Sequence, residues 1–374
     1  MSCGAEAAVP RVSVIIPATS TRALLQACLR SLVVHAPAGI AHEIIVVLNE
    51  SDGDEGTSSE FPDVKFVVSP VNLGLAGAGN RARARAHGEL LVLLHDDAEV
   101  EAGWLEALVH TADTHPEVGA VGSKVLDPDG RLQAAGMILW REATTSPPWL
   151  GEEPGADAFP ESRAVDYCGT SSLLVRASAW EAVGGLDERF YPVYYVDVDL
   201  AMGLRQAGFV VLYEPRSVIR HHRGASASSE RWRHWVYARN RLLFLEKWAS
   251  ALEKHEPADP DSVEAIERAL ARAEAVADRC RSAEPPKLTS PSATFDAEEQ
   301  QQRLTRSSRE LQTAYIAHLE AELAESEADR QARREVIERL YAALKGSHAT
   351  RSVAWRAVLT HAARSVLNRI KRVS

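Results

Sequence analysis

The sequence predicts an α/β protein, a mainly parallel sheet with helices on both faces, followed by a C-terminal helical extension. Three observations carry this prediction. Short aliphatic and β-branched runs alternate with segments of helical period through the first two-thirds of the chain, as chained βαβ units do. The runs at Val12–Ile16, Ile44–Leu48 and Leu90–Leu94 are apolar almost throughout, as strands covered on both faces must be. Beyond about Lys254 the composition turns to Ala, Glu and Arg in long helical stretches.

Taken in chain order, Val12–Ile16 is a strand ended by Pro17, and Thr19, Ser20 and Thr21 cap the helix after it. Leu25, Cys28, Leu29 and Leu32 recur at helical spacing. Ile44–Leu48 is a second strand, with the polar turn Asn49–Thr57 after it, and Val64–Val68 is a third. Ala76–Ala86 is a helix of alternating Ala and Arg. Glu89–Leu94 is a fourth strand, Trp104–His110 a helix and Val118–Val121 another strand. Four prolines between Trp140 and Arg163 indicate a long surface loop. Tyr167–Val175 restores order, with a short helix at Ala177–Val183 and a break at Gly184-Gly185. Asp199–Ala207 reads as a helix, Phe209–Leu212 and Val218–Arg220 as short strands, and Trp232–Trp248 as a long helix with aromatics inward. Val263–Arg281 is a polar helix, Glu284–Phe295 a Pro/Ser/Thr-rich linker, and Glu299–Leu344 a charged helix whose patchy heptads permit a homodimer. Three regions result: 1–254, 255–298 and 299–374.

Composition narrows the function classes. The chain has 374 residues, 45% hydrophobic and 25% charged, which suits a soluble globular protein. Its net charge of −10 gives nucleic-acid binding no general support. Four well-separated cysteines indicate reduced thiols. Met1–Pro10 lacks the pattern of a signal peptide, and no apolar run approaches the ~20 residues of a membrane span. The expected location is cytoplasmic. From Gly346 to Ser374 there are six basic residues and no acid, with Trp355, Leu359, Val366 and Ile370 near helical spacing. Such a helix suits either the inner face of an anionic plasma membrane or a protein surface.

The chemistry centres on His95-Asp96-Asp97 at the end of the fourth strand, where open α/β sheets bind ligands. Consecutive carboxylates raise at least one pKa unless a cation neutralises them, and Mg²⁺ or Mn²⁺ held there takes diphosphate oxygens as further ligands. Further on stand Gly184-Gly185-Leu186-Asp187-Glu188, Asp197, Asp199 and His221-His222-Arg223-Gly224-Ala225-Ser226. Several residues read equally well as structural: Asp187 and Glu188 as caps, Asp199 as a helix-start hydrogen bonder, and Trp140, Trp149 and Tyr167 as core rather than a sugar platform. Of Arg81, Arg83 and Arg85, Arg81 is the one placed to reach a phosphate.

These segments, over roughly Val12 to Trp248, resemble an inverting family-two glycosyltransferase with the GT-A fold, of a bacterial rhamnosyltransferase-like kind. Val12–Ala18 resembles the family's first strand, Asn72-Leu73-Gly74 with Gly79-Asn80 its N-x-G…G-N stretch, and His95-Asp96-Asp97 its D-x-D variant. Gly184–Phe190 is similar to G-G-F-D-E-x-F, Val196–Leu200 to E-D-x-D-L, His221-x-x-Gly224-x-Ser226 to H-x-x-G-x-S, and Tyr237-x-Arg239-Asn240 to an R-N on the next helix. The resemblance implies donor contacts from Pro17, Ala18, Thr19, Asn49, Asn72, Gly74, Asn80 and Asp96, a metal at Asp97 and His221, and Asp197 as catalytic base. It implies a dTDP- or UDP-sugar donor and a glycan or lipid-linked acceptor, as in bacterial surface-polysaccharide assembly. Two positions depart from the pattern. Leu48 replaces the acid that reads the base, leaving Asp52 or Asp54 to substitute, and Val196 replaces the Glu of E-D-x-D. Against this stand a degenerate GT-A scaffold and a sugar-phosphate nucleotidyltransferase, whose Gly-rich basic loop after the first strand is missing.

Overall fold

The computed structural model describes residues 9–19, 21–51, 53, 55–151, 153–222, 229–282 and 295–346. The first half runs β1 (Val12–Ala18), α1 (Arg22–Val34), β2 (His42–Leu48), α2 (Glu55–Glu60), β3 (Lys65–Val68), α3 (Gly74–Arg83), β4 (Leu90–Leu94), β5 (Ala98–Val100), α4 (Trp104–Thr114) and β6 (Val118–Leu126). Four short strands come next: β7 (Leu132–Ala134), β8 (Ile138–Leu139), β9 (Thr145–Ser146) and β10 (Arg163–Ala164). The chain then forms β11 (Ser172–Arg176), α5 (Ala177–Val183), a 3₁₀ turn at Glu188–Phe190, α6 (Val196–Gln206), β12 (Val210–His221), α7 (Glu230–Leu252), α8 (Val263–Arg281) and α9 (Ala297–Gly346).

The main sheet has the order β10-β12-β6-β11-β4-β1-β2-β3. Strands β1 to β4 pair in parallel, as do β6 and β12, while β11 runs antiparallel between β4 and β6. Alternation across the pleat feeds two cores. Val14 and Ile16 pack with Leu25, Leu29, Leu105 and Leu108 from α1 and α4. Ile15 and Ile45 face the other way, toward Leu73, Leu200, Phe244 and Trp248 from α3, α6 and α7. Helix α7 buries Val236, Asn240, Phe244, Trp248 and Leu252, one residue per turn, as its inward aromatics predicted.

Packing continues past the boundary expected at residue 254. One compact unit runs to Gln312, and a second spans Thr313–Ser374. Helix α8 lays Ala265, Ile266 and Ala269 against Trp140, which is therefore core and no sugar platform. Asp166 accepts from Arg205 (2.7 Å) and from both ends of the Arg272 fork (2.7 and 2.8 Å). The first turns of α9 bury Gln300, Leu304 and Leu311. Arg81, expected to face phosphate, instead donates to Gln300 Oε1 and the Ala297 carbonyl. Burial lowers its pKa below the usual arginine value, and the helix that covers it supplies the acceptors. In the second unit α9 continues as a helix with Ile316 and Leu323 exposed. The basic C-terminal segment, Asp52 and Asp54, and most of the Pro/Ser linker lie outside the described residues. Among the described residues no helix is long and apolar enough to cross a membrane.

The Asp166 triad gives a stability prediction. Its carboxylate is held well below the usual range by the two guanidinium groups against the cost of burial. Asp166→Ala removes the carboxylate that pairs with the largely buried Arg205 and leaves Arg272 only its pair with Glu256, and is expected to cost about 3–5 kcal/mol. Urea unfolding measures this, and a loss under about 1 kcal/mol would show that the triad contributes little to the attachment of α8.

Candidate active site

Strand register assembles the site at the C-terminal edge of β4. Because β11 pairs antiparallel with β4, Ser172 lies opposite Leu94, and the His95 amide donates to the Ser171 carbonyl at 3.2 Å. Thr170 is thereby set beside the His95 ring, with Oγ1 3.3 Å from Nε2. Strand β12 shifts register with β6 between Glu214 and Val218 and ends against β5, pairing His221 with Ala98. That pairing delivers the His221 ring to Asp97, with Nε2 3.1 Å from Oδ1.

Three ligand atoms converge here. His95, Asp97 and His221 each offer one, and all lie within 4.8 Å of one another. The His95 Nδ1 and His221 Nε2 are 3.2 Å apart. Gln133 fixes the His221 tautomer: its Nε2 donates to Asp127 at 2.8 Å, so its Oε1 accepts Nδ1–H of His221 at 2.7 Å. The His221 Nε2 then faces Asp97 and His95. Such outer partners orient metal-binding histidines. Burial, reinforced by the charge of His221, pushes the His95 pKa down to about 4 against the pull of Asp97, which leaves a neutral imidazole for coordination. Burial opposes ionisation of Asp97, but the hydrogen bond and charge of His221 outweigh it and hold the pKa below the usual aspartate value. Two imidazole nitrogens and a carboxylate fit Mn²⁺ or a similar borderline ion better than Mg²⁺, which prefers oxygen.

Asp197 sits in the first turn of α6. Its carboxylate takes the N–H of Val198 at 2.9 Å and that of Thr170. Burial outweighs these bonds and pushes its pKa up to about 6. Thr170 thus touches both the base candidate, through its amide, and the His95 ring, through its hydroxyl. Asp199 faces elsewhere, because residues two apart on a helix do not share a face. It accepts from Trp248 Nε1 and Lys247, the structural role weighed for it. Tyr167 is buried close to Asp197, and its pKa is pushed up by burial and that neighbouring charge. Trp149 packs against Phe159 with the rings tilted and their centroids 5.7 Å apart.

The expected donor-binding residues divide into two groups. Ala18, Asn49 and Leu73 are tied together at the ends of β1 and β2 and the start of α3: the Asn49 amide donates to the Ala18 carbonyl, and Asn49 Oδ1 accepts from Leu73 N–H. The buried Asn49 Nδ2 finds no partner among the described residues. Asp96 accepts the Thr19 N–H at 2.6 Å, closing the turn after Pro17 onto β4. Asn72 Oδ1 caps Gly74 N–H at 2.8 Å. Gly74 has φ +63°, and a Cβ there would lie 2.7 Å from the Pro192 carbonyl, so the position needs glycine. Asn80 stands apart. Its amide holds the Leu186 carbonyl and N–H and reaches Glu188, which places it behind the loop before α6 rather than beside a donor. Asp187 caps the 3₁₀ turn and pairs with Lys247. Of His221-x-x-Gly224-x-Ser226, residues 223–228 lie outside the described residues. His95, Gln133 and Thr170 were not singled out from sequence. His95 stood inside the acidic motif, whereas Gln133 and Thr170 arrive through strand pairing and carry no local signal.

Residues 13–181 match the family model described as Glycosyl transferase family 2. The chain is 29% identical over 230 residues to N-acetylglucosaminyl-diphospho-decaprenol L-rhamnosyltransferase of Mycobacterium tuberculosis, covering 54% of this chain and 74% of that one. It is 32% identical over 234 residues to O-antigen biosynthesis protein RfbC of Myxococcus xanthus, covering 59% of this chain and 18% of that one. The chain spans a quarter or less of the length of two of the curated relatives it matches. The crystal structure of GalNAc-T7 with UDP, GalNAc and Mn²⁺ superposes with a TM-score of 0.52 at 16% identity, covering 66% of this chain and 49% of that one. That likeness is one of fold, the GT-A arrangement.

The Asp197 carboxyl gives a pH prediction. A folded pKa of about 6 lies above the ~3.9 of an exposed aspartate, so from pH 4 to 6 the native state keeps a proton that the unfolded chain has lost. The Asp197 contribution to stability therefore falls as pH rises through this window, opposing the rise that His95 brings over the same range. Asp197→Asn removes this contribution and should be about 3 kcal/mol more stable than the wild type above pH 6. Denaturant midpoints at pH 4, 5, 6 and 7 measure it, and parallel profiles for the two proteins would contradict the assignment.

Proposed function

We propose that this chain is an inverting, metal-dependent glycosyltransferase that moves a sugar from a nucleotide-sugar donor to a hydroxyl of a glycan or lipid-linked acceptor. The observation that carries the reading is the Asp197 carboxyl, poised near pH 6 and joined through Thr170 to the His95–Asp97–His221 cluster. An acceptor hydroxyl must lose a proton as it attacks the anomeric carbon, and a general base works best with a pKa near the operating pH. Asp197 takes that proton in a single displacement, which inverts the anomeric centre. A cation held by His95, Asp97 and His221 supplies charge neutralisation for the departing diphosphate. Pro17, Ala18, Thr19, Asn49, Asn72 and Asp96 form the wall at the ends of β1, β2 and β4 where the nucleotide lies. The unpartnered Asn49 Nδ2 suits a carbonyl of a pyrimidine base, in keeping with a dTDP- or UDP-sugar.

The relatives' names support surface-polysaccharide assembly as the setting and a lipid diphosphate as the acceptor class. We place the enzyme in the cytoplasm, at the inner face of the membrane when the acceptor is lipid-linked. Its basic C-terminal segment provides the contact, and α9 provides a surface for a homodimer.

Thermal-shift assays with dTDP- and UDP-sugars, with and without Mn²⁺, test donor and metal together. Stabilisation is expected only when nucleotide sugar and Mn²⁺ are both present. With the donor so identified, Asp197→Asn is expected to lower transfer about 10³-fold while keeping the donor–Mn²⁺ stabilisation. Asp97→Ala is expected to lose both. Near-normal turnover by Asp197→Asn, or a product of retained anomeric configuration by NMR, would falsify the mechanism.

A further inference from the structure

We propose that Asn240, on the buried face of α7, is a positioning residue that fixes the entry to α6 and so the place of the Asp197 carboxyl; this rests on reading Asp197 as the base. Asn240 is fully buried. Its Nδ2 donates to the carbonyls of Phe190 (2.9 Å), Val193 (2.8 Å) and Tyr194 (3.2 Å), and its Oδ1 accepts from Arg239 Nη1 at 2.6 Å. One side chain thereby gathers the whole segment that leads from the 3₁₀ turn into α6.

That segment is strained. Tyr194 and Tyr195 are consecutive non-glycine residues at φ +71° and +66°, a left-handed conformation that a Cβ disfavours. Such a pair persists only where the surroundings over-determine it. Tyr195 is the residue from which α6 departs, its carbonyl taking the Asp199 N–H at 2.9 Å, and Asp197 lies two residues further on. Its hydroxyl is anchored on the Ala143 carbonyl at 2.6 Å. Its ring packs on Tyr237 and on Phe244, one turn beyond Asn240 on the same buried stripe. Within that stripe of Val236, Phe244, Trp248 and Leu252, an aliphatic side chain at 240 would fill the space equally well. Only an amide answers the carbonyls. A purely structural Asn240 would lower stability and leave Asp197 in the same surroundings. A positioning Asn240 changes those surroundings.

Asn240→Ala and Asn240→Ser are made with and without Asp197→Asn. The stability difference between the Asp197 protein and Asp197→Asn is then tracked from pH 4 to 7 in each background. Tyr167 and Cys168, the titratable groups against Asp197, are both pushed up by burial and stay neutral across this range. His95, one step away through Thr170, is common to all backgrounds and cancels. In the wild-type background the difference is expected to grow from pH 4 and level off at about pH 6. In the Asn240 backgrounds it should stay nearly flat, because the folded pKa then approaches the ~3.9 of a solvated aspartate. In the transfer assay kcat should fall about 100-fold with donor KM within about threefold. If Asn240→Ala does not fold, Asn240→Ser, which keeps one donor, carries the measurement. A difference that still grows up to about pH 6 in a destabilised variant overturns the positioning role. A wild type that transfers no sugar while the Asn240 variants still lose this pH dependence overturns the proposed function and leaves the positioning intact.

Discussion

The antiparallel pairing of β11 with β4 is the constraint on which the site depends. In a wholly parallel sheet the strand beside β4 would run the same way and present its own C-terminal end at the edge where His95 and Asp97 stand. Strand β11 instead brings its N-terminal approach to that edge. Thr170 therefore lies against the His95 ring, and its amide is free to meet a carboxylate from α6. The reversal joins two otherwise separate pieces of chemistry through one residue. Register then limits variation: a one-residue slip of β11 would move Leu173 and Val175 from one core to the other and Leu174 the opposite way, so the contact is protected by the packing on both faces.

Two carboxylates in one site are driven to opposite ionisation behaviour by their surroundings, and this separates their roles. Asp97 lies beside two imidazoles and is held ionised. Asp197 has only backbone amides and a buried environment, and its pKa rises. The helix N-terminus favours its anion, as do the amides of Val198 and Thr170, yet burial prevails. The result is a group that changes charge near neutrality next to one that does not. On the proposed reading the asymmetry is required, because a metal-binding carboxylate must be ionised and a general base works best with a pKa near the operating pH.

Much of this was legible in the sequence. Strands β1, β2 and β4 declared themselves because burial on both faces forces unbroken apolar runs. The inward stripe of α7 was visible in its period. The limits have physical causes. Strands β5 and β7 to β10 are too short for any period to register, and β12, read as two strands, is one strand with an irregularity around Glu214–Val218. Helix α6 begins at Val196 rather than Asp199, because two tyrosines take the left-handed turn that glycine ordinarily signals. Asn80 and Arg81 were read toward the donor because sequence shows spacing and not which neighbour fills the space. The partners of both come from far along the chain, at Leu186 and Gln300.

Those distant partners converge on one segment. The stretch from Gly184 to Tyr195 is held by Asn80 at Leu186, by Gln300 and Arg303 at Glu188, by Lys247 at Asp187 and by Asn240 at its end. Helices α3, α7 and α9 thus all grip the chain just before the proposed base. A loop carrying two left-handed tyrosines has no local reason to keep its shape, so its order must come from these attachments. Glu188 is a case in point: with Asn80 on one side and Arg303 on the other, it couples the start of α9 to the approach of α6. The C-terminal extension is therefore, over its first turns, part of the framework that aims Asp197. The compact unit extends to Gln312, and the first turns of α9 within it hold the segment that leads to Asp197.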